Sequence, residues 1–212
     1  MEKLTASQIW FLFSLIALSI TGIVFIKLPF RGDERHIVET IKLFAENFSF
    51  STIKDYPEVT PPFFYMFYAL WAKIFSSSTE SLRLLTLIIS FITWQLIFFL
   101  IQLFVKKDIH ALLLSLLIVI NPYFFGTSVF VFTDMFTIML VLLSIISFIK
   151  NKLFLFFIFS ALAILSRQYA VIIPASVIVY SLLNNKNDNI TSRNNIIASL
   201  VSFIPLIILF AI

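Results

Sequence analysis

The sequence predicts an all-α, polytopic membrane protein: about six transmembrane helices, with short interfacial helices in the first outer loop. Three observations predict it. Sixty per cent of the 212 residues are apolar and only 12% are charged, where a soluble domain carries roughly a quarter. Mean hydropathy is +1.04. The few lysines and arginines gather in short connections between long uncharged runs, the distribution expected of cytosolic loops.

The same composition excludes several classes. Without cysteine there are no disulfides, and two histidines alone do not make a zinc cluster of the usual kind. Three glycines leave no phosphate-cradling or dinucleotide fingerprint. A net charge of +4 is no sign of nucleic-acid binding. No metal and no cofactor are expected.

The first apolar run, Ile9 to Phe30, is interrupted only by Lys27. It is longer than the ~7–15-residue core of a cleavable signal and lacks a small-residue cleavage site, so it reads as a retained helix. The polar stretch Arg31 to Thr60 follows. Within it His36–Phe48 places Ile37, Ile41, Phe44 and Phe48 on one helical stripe. Such a helix lies in the membrane interface or packs on helix ends, and the two are compatible. Thr60 before Pro61–Pro62 reads as an N-cap for an aromatic segment, Phe63–Phe75. That segment is interfacial or partly embedded, with a short span as the alternative. Ser77 and Glu80 read as a capping box for the next helix.

Five apolar runs remain: Leu82–Val105, Ile109–Phe125, Ser128–Ile149, Leu153–Ser166 with Tyr169–Leu183, and Ile196–Ile212. The fourth is too long for one span and breaks at Ser166–Arg167–Gln168. Its first half falls below the ~20 residues of a full crossing. Asn121–Pro122 reads as a turn. Alternating the spans puts Lys3, Lys106, Lys107, Lys150, Lys152, Lys186 and Arg193 on one side, which makes the N-terminus cytosolic. Residues 31–60 then face the ER lumen, the periplasm or the cell exterior. Asn47-Phe48-Ser49 on that side is a glycosylation triplet of low specificity.

Polar residues cluster at the outer boundary. Asp33, Glu34 and His36 follow the first span; two adjacent carboxylates and an imidazole suit acid/base work, or form a solvated turn. Asp134 stands near the outer end of its helix, where a carboxylate costs less than the ~2.5–3.5 kcal/mol of mid-membrane. Arg167, beside Gln168 at the helix break, needs a carboxylate, a phosphate or carbonyls around it. Asp134 is a candidate partner, and a purely structural Asp134–Arg167 pair is the plainer alternative. An acidic pair, Thr60 and a buried arginine on one face suit a substrate that carries a hydroxyl and a phosphate.

This arrangement resembles the GT-C superfamily of membrane glycosyltransferases, most nearly the eukaryotic dolichyl-phosphate-glucose α-1,2-glucosyltransferases. Asp33-Glu34-Arg35-His36 is similar to that family's Asp-Glu followed by His. Thr60-Pro61-Pro62 is similar to its Thr-Pro-Pro, and Leu82-Arg83 to its Leu-Arg helix start. Val131-Phe132-Thr133-Asp134 is similar to its Tyr-Thr-Asp, and Arg167-Gln168 to its Arg-Gln. The motifs keep their order and cover most of residues 31–175. Departures are the one-residue-closer His36, Phe63 where glycine is usual, and Tyr169-Ala170 in place of Thr-Asn.

The resemblance implies a polyprenyl-phosphate sugar donor, a hydroxyl acceptor on a lipid-linked glycan or other molecule, and inversion without an obligatory metal. It implies Asp33 as general base. Arg167, with His36, holds the leaving phosphate; Glu34 and Asp134 orient the acceptor or Arg167; Thr60 and Gln168 bind substrate. Family members run to roughly twice this length, so a missing C-terminal half or a partner subunit is expected. The alternatives are a non-catalytic membrane subunit and a transporter of lipid-linked sugars, in which Asp134 and Arg167 line a path.

Overall fold

The structure, a computed structural model, describes residues 4–183 and 189–210. Lys3, Lys186 and the last residues of the Ile196–Ile212 run lie outside the described residues. Twelve α-helices and one 3₁₀ turn are described, and no strand occurs among the described residues. In order they are α1 (Ala6–Phe25), α2 (Glu34–Glu46), α3 (Phe50–Asp55), α4 (Phe63–Ile74), α5 (Thr79–Phe104) and α6 (Asp108–Ile120). Then come α7 (Pro122–Thr127), α8 (Thr133–Ile149), α9 (Leu153–Ile164), the 3₁₀ turn Gln168–Val171, α10 (Ile172–Leu183), α11 (Asn189–Val201) and α12 (Ile204–Phe210).

Two helices are long and apolar enough to cross a bilayer, α1 with 20 residues and α5 with 26. The other apolar helices have 17 residues or fewer, short of a full ~30 Å crossing at 1.5 Å per residue. This is the pattern of an all-α membrane protein with interrupted spans. Lipid cannot satisfy an open backbone, so such breaks belong where protein covers them.

α5 is the central post, with α1 and α6 on one side and α8 on the other. α8 packs in turn on α9. Trp10 of α1 donates its indole N–H to the Trp94 carbonyl of α5 at 3.0 Å and stacks on Phe98 at 5.6 Å. α1 approaches α5 closely at Gly22, where an added Cβ would meet Leu87 Cδ1 at 3.0 Å.

The expected amphipathic helix forms as α2, two residues earlier than the stripe implied. Ile37, Ile41 and Phe44 are buried against α4 as the spacing predicts, while Phe48 falls beyond the helix end and stays 53% exposed. Burial of the three side chains contributes on the order of 1.5–3 kcal/mol each.

Local capping differs from expectation at three places. Thr60 is not the N-cap of α4. Pro62 holds that position, and the Phe63 N–H donates to the Leu165 carbonyl at 3.1 Å. The hydroxyl of Thr60 is therefore released to lie 2.7 Å from that of Tyr65. Ser78, not Ser77, caps α5, accepting from the Ser81 N–H, and Glu80 sits in the first turn rather than closing a box. Asn121 does more than turn the chain: its side chain accepts from the Tyr123 and Phe124 N–H groups and caps α7. The Ser128–Ile149 run is helical only from Thr133, because Val131 gives its N–H to a side chain elsewhere.

Gly22→Ala is expected to be nearly neutral, since the flexible tip of Leu87 can turn aside. Gly22→Phe should cost about 1–3 kcal/mol by overpacking. Thermal melting of both variants in detergent checks the difference.

Candidate functional site

The site is built where one end of the bundle gathers the C-terminus of α1, the N-termini of α2, α5 and α8, and the C-terminus of α9. A buried ion pair organises it. Glu34 and Arg83 are both fully buried. Arg83 donates Nε to Glu34 Oε1 at 2.8 Å and Nη2 to Oε2 at 2.6 Å, a two-pronged fork. Its Nη1 donates to the Phe25, Ile26 and Leu28 carbonyls, and Nη2 also to Pro29. The Phe130 ring faces the guanidinium at 5.0 Å. Glu34 accepts two further bonds, from the Arg31 N–H at 3.2 Å and the Val131 N–H at 3.0 Å.

Burial of two charges costs several kcal/mol per ion unless every donor and acceptor is engaged, and here the engagement is complete. The pair ties the carbonyl end of α1, the start of α2, α5 and the extended strand-like segment before α8 into one junction. Sequence reading gave Glu34 an acid/base or orienting task and cited Arg83 only as part of a short motif. Their partnership spans 49 residues, and no local signal announces it.

Asp33, one residue from Glu34, has the opposite surroundings. It is exposed and occupies the N-cap position of α2 without making a capping hydrogen bond. Its carboxylate is therefore free for other work. Gly32 just before it has φ +51°, a left-handed turn that glycine adopts without penalty. That turn sends Asp33 outward and Glu34 inward.

Arg167 sits at the break after α9, partly exposed. Its Nε donates to Thr133 Oγ1 at 2.6 Å, and Nη2 to Asp134 Oδ2 at 3.3 Å. The expected Asp134–Arg167 pair thus forms, with Thr133 as a second and tighter anchor. Two of the five guanidinium N–H donors are taken among the described residues, and the Tyr169 ring lies 5.5 Å from the guanidinium carbon. Gln168 donates to the Val59 carbonyl at 2.9 Å and holds the segment before α4 against the break.

Asp33, His36, Thr60 and Arg167 line one cleft of about 600 Å³. Glu34 lies beneath it and Asp134 behind Arg167. The cleft also contains Thr133, from the motif that ends in Asp134, and Thr40, Glu58 and Tyr65, residues of ordinary type with no motif around them. Tyr65 is a neutral phenol at any working pH. Burial, the largest cause, outweighs the Thr60 hydrogen bond and the Arg167 charge that draw it down, and with a smaller push from Glu58 the phenol stands at about 12. Burial likewise raises Tyr56, which donates to the Thr60 carbonyl. No group of three or more potential metal-binding side chains occurs among the described residues.

The cleft can therefore hold a hydroxyl at a free carboxylate and an anion at a half-engaged guanidinium, with neutral hydroxyls between. A family model described as dolichyl-phosphate-mannose-protein mannosyltransferase matches residues 59–211. No curated protein and no solved structure matches the chain.

Removing Arg83 strands Glu34 as an unpaired buried charge. Arg83→Met should cost about 3–5 kcal/mol, and adding Glu34→Leu should restore part of that loss. Unfolding midpoints of the single and double variants in detergent check both statements.

Proposed function

The chain belongs to the dolichyl-phosphate-mannose-protein mannosyltransferase family, a glycosyltransferase family fed by polyprenyl-phosphate sugars, and on that premise we propose that the cleft is its transfer site. The observation that carries the reading is the single cleft shared by an uncapped, exposed carboxylate and an arginine with donors to spare. The superfamily expected from the sequence agrees with the matched family. The α-1,2-glucosyltransferase branch has no such support, and the sugar and acceptor stay open.

In the proposed reaction the acceptor hydroxyl lies against Asp33. The carboxylate takes its proton as the oxygen attacks the anomeric carbon. The bond from that carbon to the phosphate oxygen breaks, and its electron pair leaves with the lipid phosphate. One displacement inverts the anomeric centre. Arg167, fixed by Thr133 and Asp134, faces the charge that develops on the phosphate. His36 supplies a further polar group to the cleft wall. Glu34 acts through Arg83 by fixing the backbone that presents Asp33, so it is a positioning residue.

The cleft is proposed to face the outer side with the N-terminus cytosolic. Lys106, Lys107, Lys150 and Lys152 stand at the ends of α5, α6, α8 and α9 opposite the cleft, which supports that orientation. Because the chain has no cysteine, single replacements report cleanly. Glu46→Cys should react with an impermeant maleimide on sealed cells and Lys107→Cys should not; the reverse labelling overturns the orientation.

Asp33→Asn should fold normally, since the side chain makes no capping bond, and should lose about 10²–10⁴-fold in transfer. The assay supplies radiolabelled dolichyl-phosphate mannose and dolichyl-phosphate glucose to membranes carrying either protein. Full activity in Asp33→Asn would sink the base assignment.

A further inference from the structure

The far wall of the cleft is unused by the reaction above, yet it is built. Glu58 is half-buried there. Its Oε1 accepts the Thr40 hydroxyl of α2 at 3.1 Å, and Oε2 makes no protein hydrogen bond among the described residues. Beside it stands Tyr65, whose ring is held by Tyr56 at 6.0 Å and by Phe44 at 6.3 Å. The ring of Tyr65 is buried, and its hydroxyl lies 2.7 Å from that of Thr60.

The order of groups along the cleft follows from the backbone. The start of α2 sits against residues 131–133: an added Cβ at Gly32 would lie 3.9 Å from Phe132, and Glu34 takes the Val131 N–H. Thr133 holds Arg167. Asp33 and Arg167 therefore meet at the same segment, and Gln168 beside Arg167 holds Val59, the neighbour of Glu58. Thr40 is seven residues along α2, about 10 Å at 1.5 Å per residue, and Glu58 is bonded to it. A carboxylate with a free oxygen accepts strong, charge-assisted bonds from neutral hydroxyls. A few polar groups placed in this way are how pockets orient a small polar ligand.

We infer that Glu58 is a specificity-determining residue that binds ring hydroxyls of the donor sugar, with the phosphate at Arg167. The inference rests on the reading of the cleft as the transfer site. It adds that the sugar, and not only the lipid phosphate, is recognised before reaction, at a point about two helical turns from the base.

The test measures binding of three probes to the purified full chain in detergent: dolichyl phosphate, dolichyl-phosphate mannose and dolichyl-phosphate glucose. Wild type should bind at least one sugar-bearing probe about tenfold or more tighter than bare dolichyl phosphate, the scale of a charge-assisted bond. Glu58→Ala should abolish that gain and leave the affinity for bare dolichyl phosphate unchanged. Glu58→Gln keeps an oxygen for Thr40 but loses the charge, and should lose most of the gain as well. Unchanged affinity for the bare lipid serves as the folding control.

Equal binding of all three probes by wild type would overturn the Glu58 inference and leave the transfer reading standing. A sugar-dependent gain that survives in both Glu58 variants would do the same. Failure of wild type to bind any of the three would overturn both. A loss of affinity for every probe in Glu58→Gln would show that Glu58 only braces α2, which also overturns the inference.

Discussion

Two opposite charges buried together at one end of the bundle decide where the rest of the site can be. Glu34 and Arg83 are tolerable in the interior only because each finds its full set of partners. Those partners lie on four separate segments, so the demand for satisfaction becomes a demand on geometry. α1 must end where its carbonyls reach Arg83. Residues 131–132 must stay out of the helix for Val131 to give its N–H away, which shortens α8 relative to the apolar run that encodes it. α2 must begin at that junction, and with it Asp33.

The site then divides similar chemistry between unlike surroundings. Asp33 and Glu34 are adjacent carboxylates, one exposed and unengaged, the other enclosed and saturated. Arg83 and Arg167 divide in the same way: the first spends its guanidinium within the protein, while the second keeps part of it open to the cleft. An arginine suits both positions because its planar fork serves several acceptors at once and stays charged. Burial, not residue type, separates the group spent on the scaffold from the one left open to the cleft.

Much of the fold was legible because hydropathy and helical spacing are local signals. The runs that became α1, α5 and α8, the stripe that became α2 and the break at Arg167 all announce themselves within a window of some twenty residues. The pairing of Asp134 with Arg167 was also within reach, since a charge at a helix break demands a partner. The role of Arg83 was not, because one arginine at the start of an apolar helix reads as an interfacial charge, and its partners lie at distant positions. Thr40, Glu58 and Tyr65 were silent for a related reason: their meaning comes from the cleft they face. The capping differences have local causes. Thr60 lost its expected place because the Leu165 carbonyl met the N–H it would have served nearby.

The junction around Glu34 also has a direction in time. Its carboxylate is 49 residues ahead of Arg83 and 97 ahead of Val131. A chain made from its N-terminus presents the acidic turn first and has nothing to hold it with. The guanidinium arrives with α5, the last backbone donor with the approach to α8, and Arg167 only after α9. The loop that bears Asp33 is thus among the earliest parts of the molecule to be synthesised and among the last to be set in place.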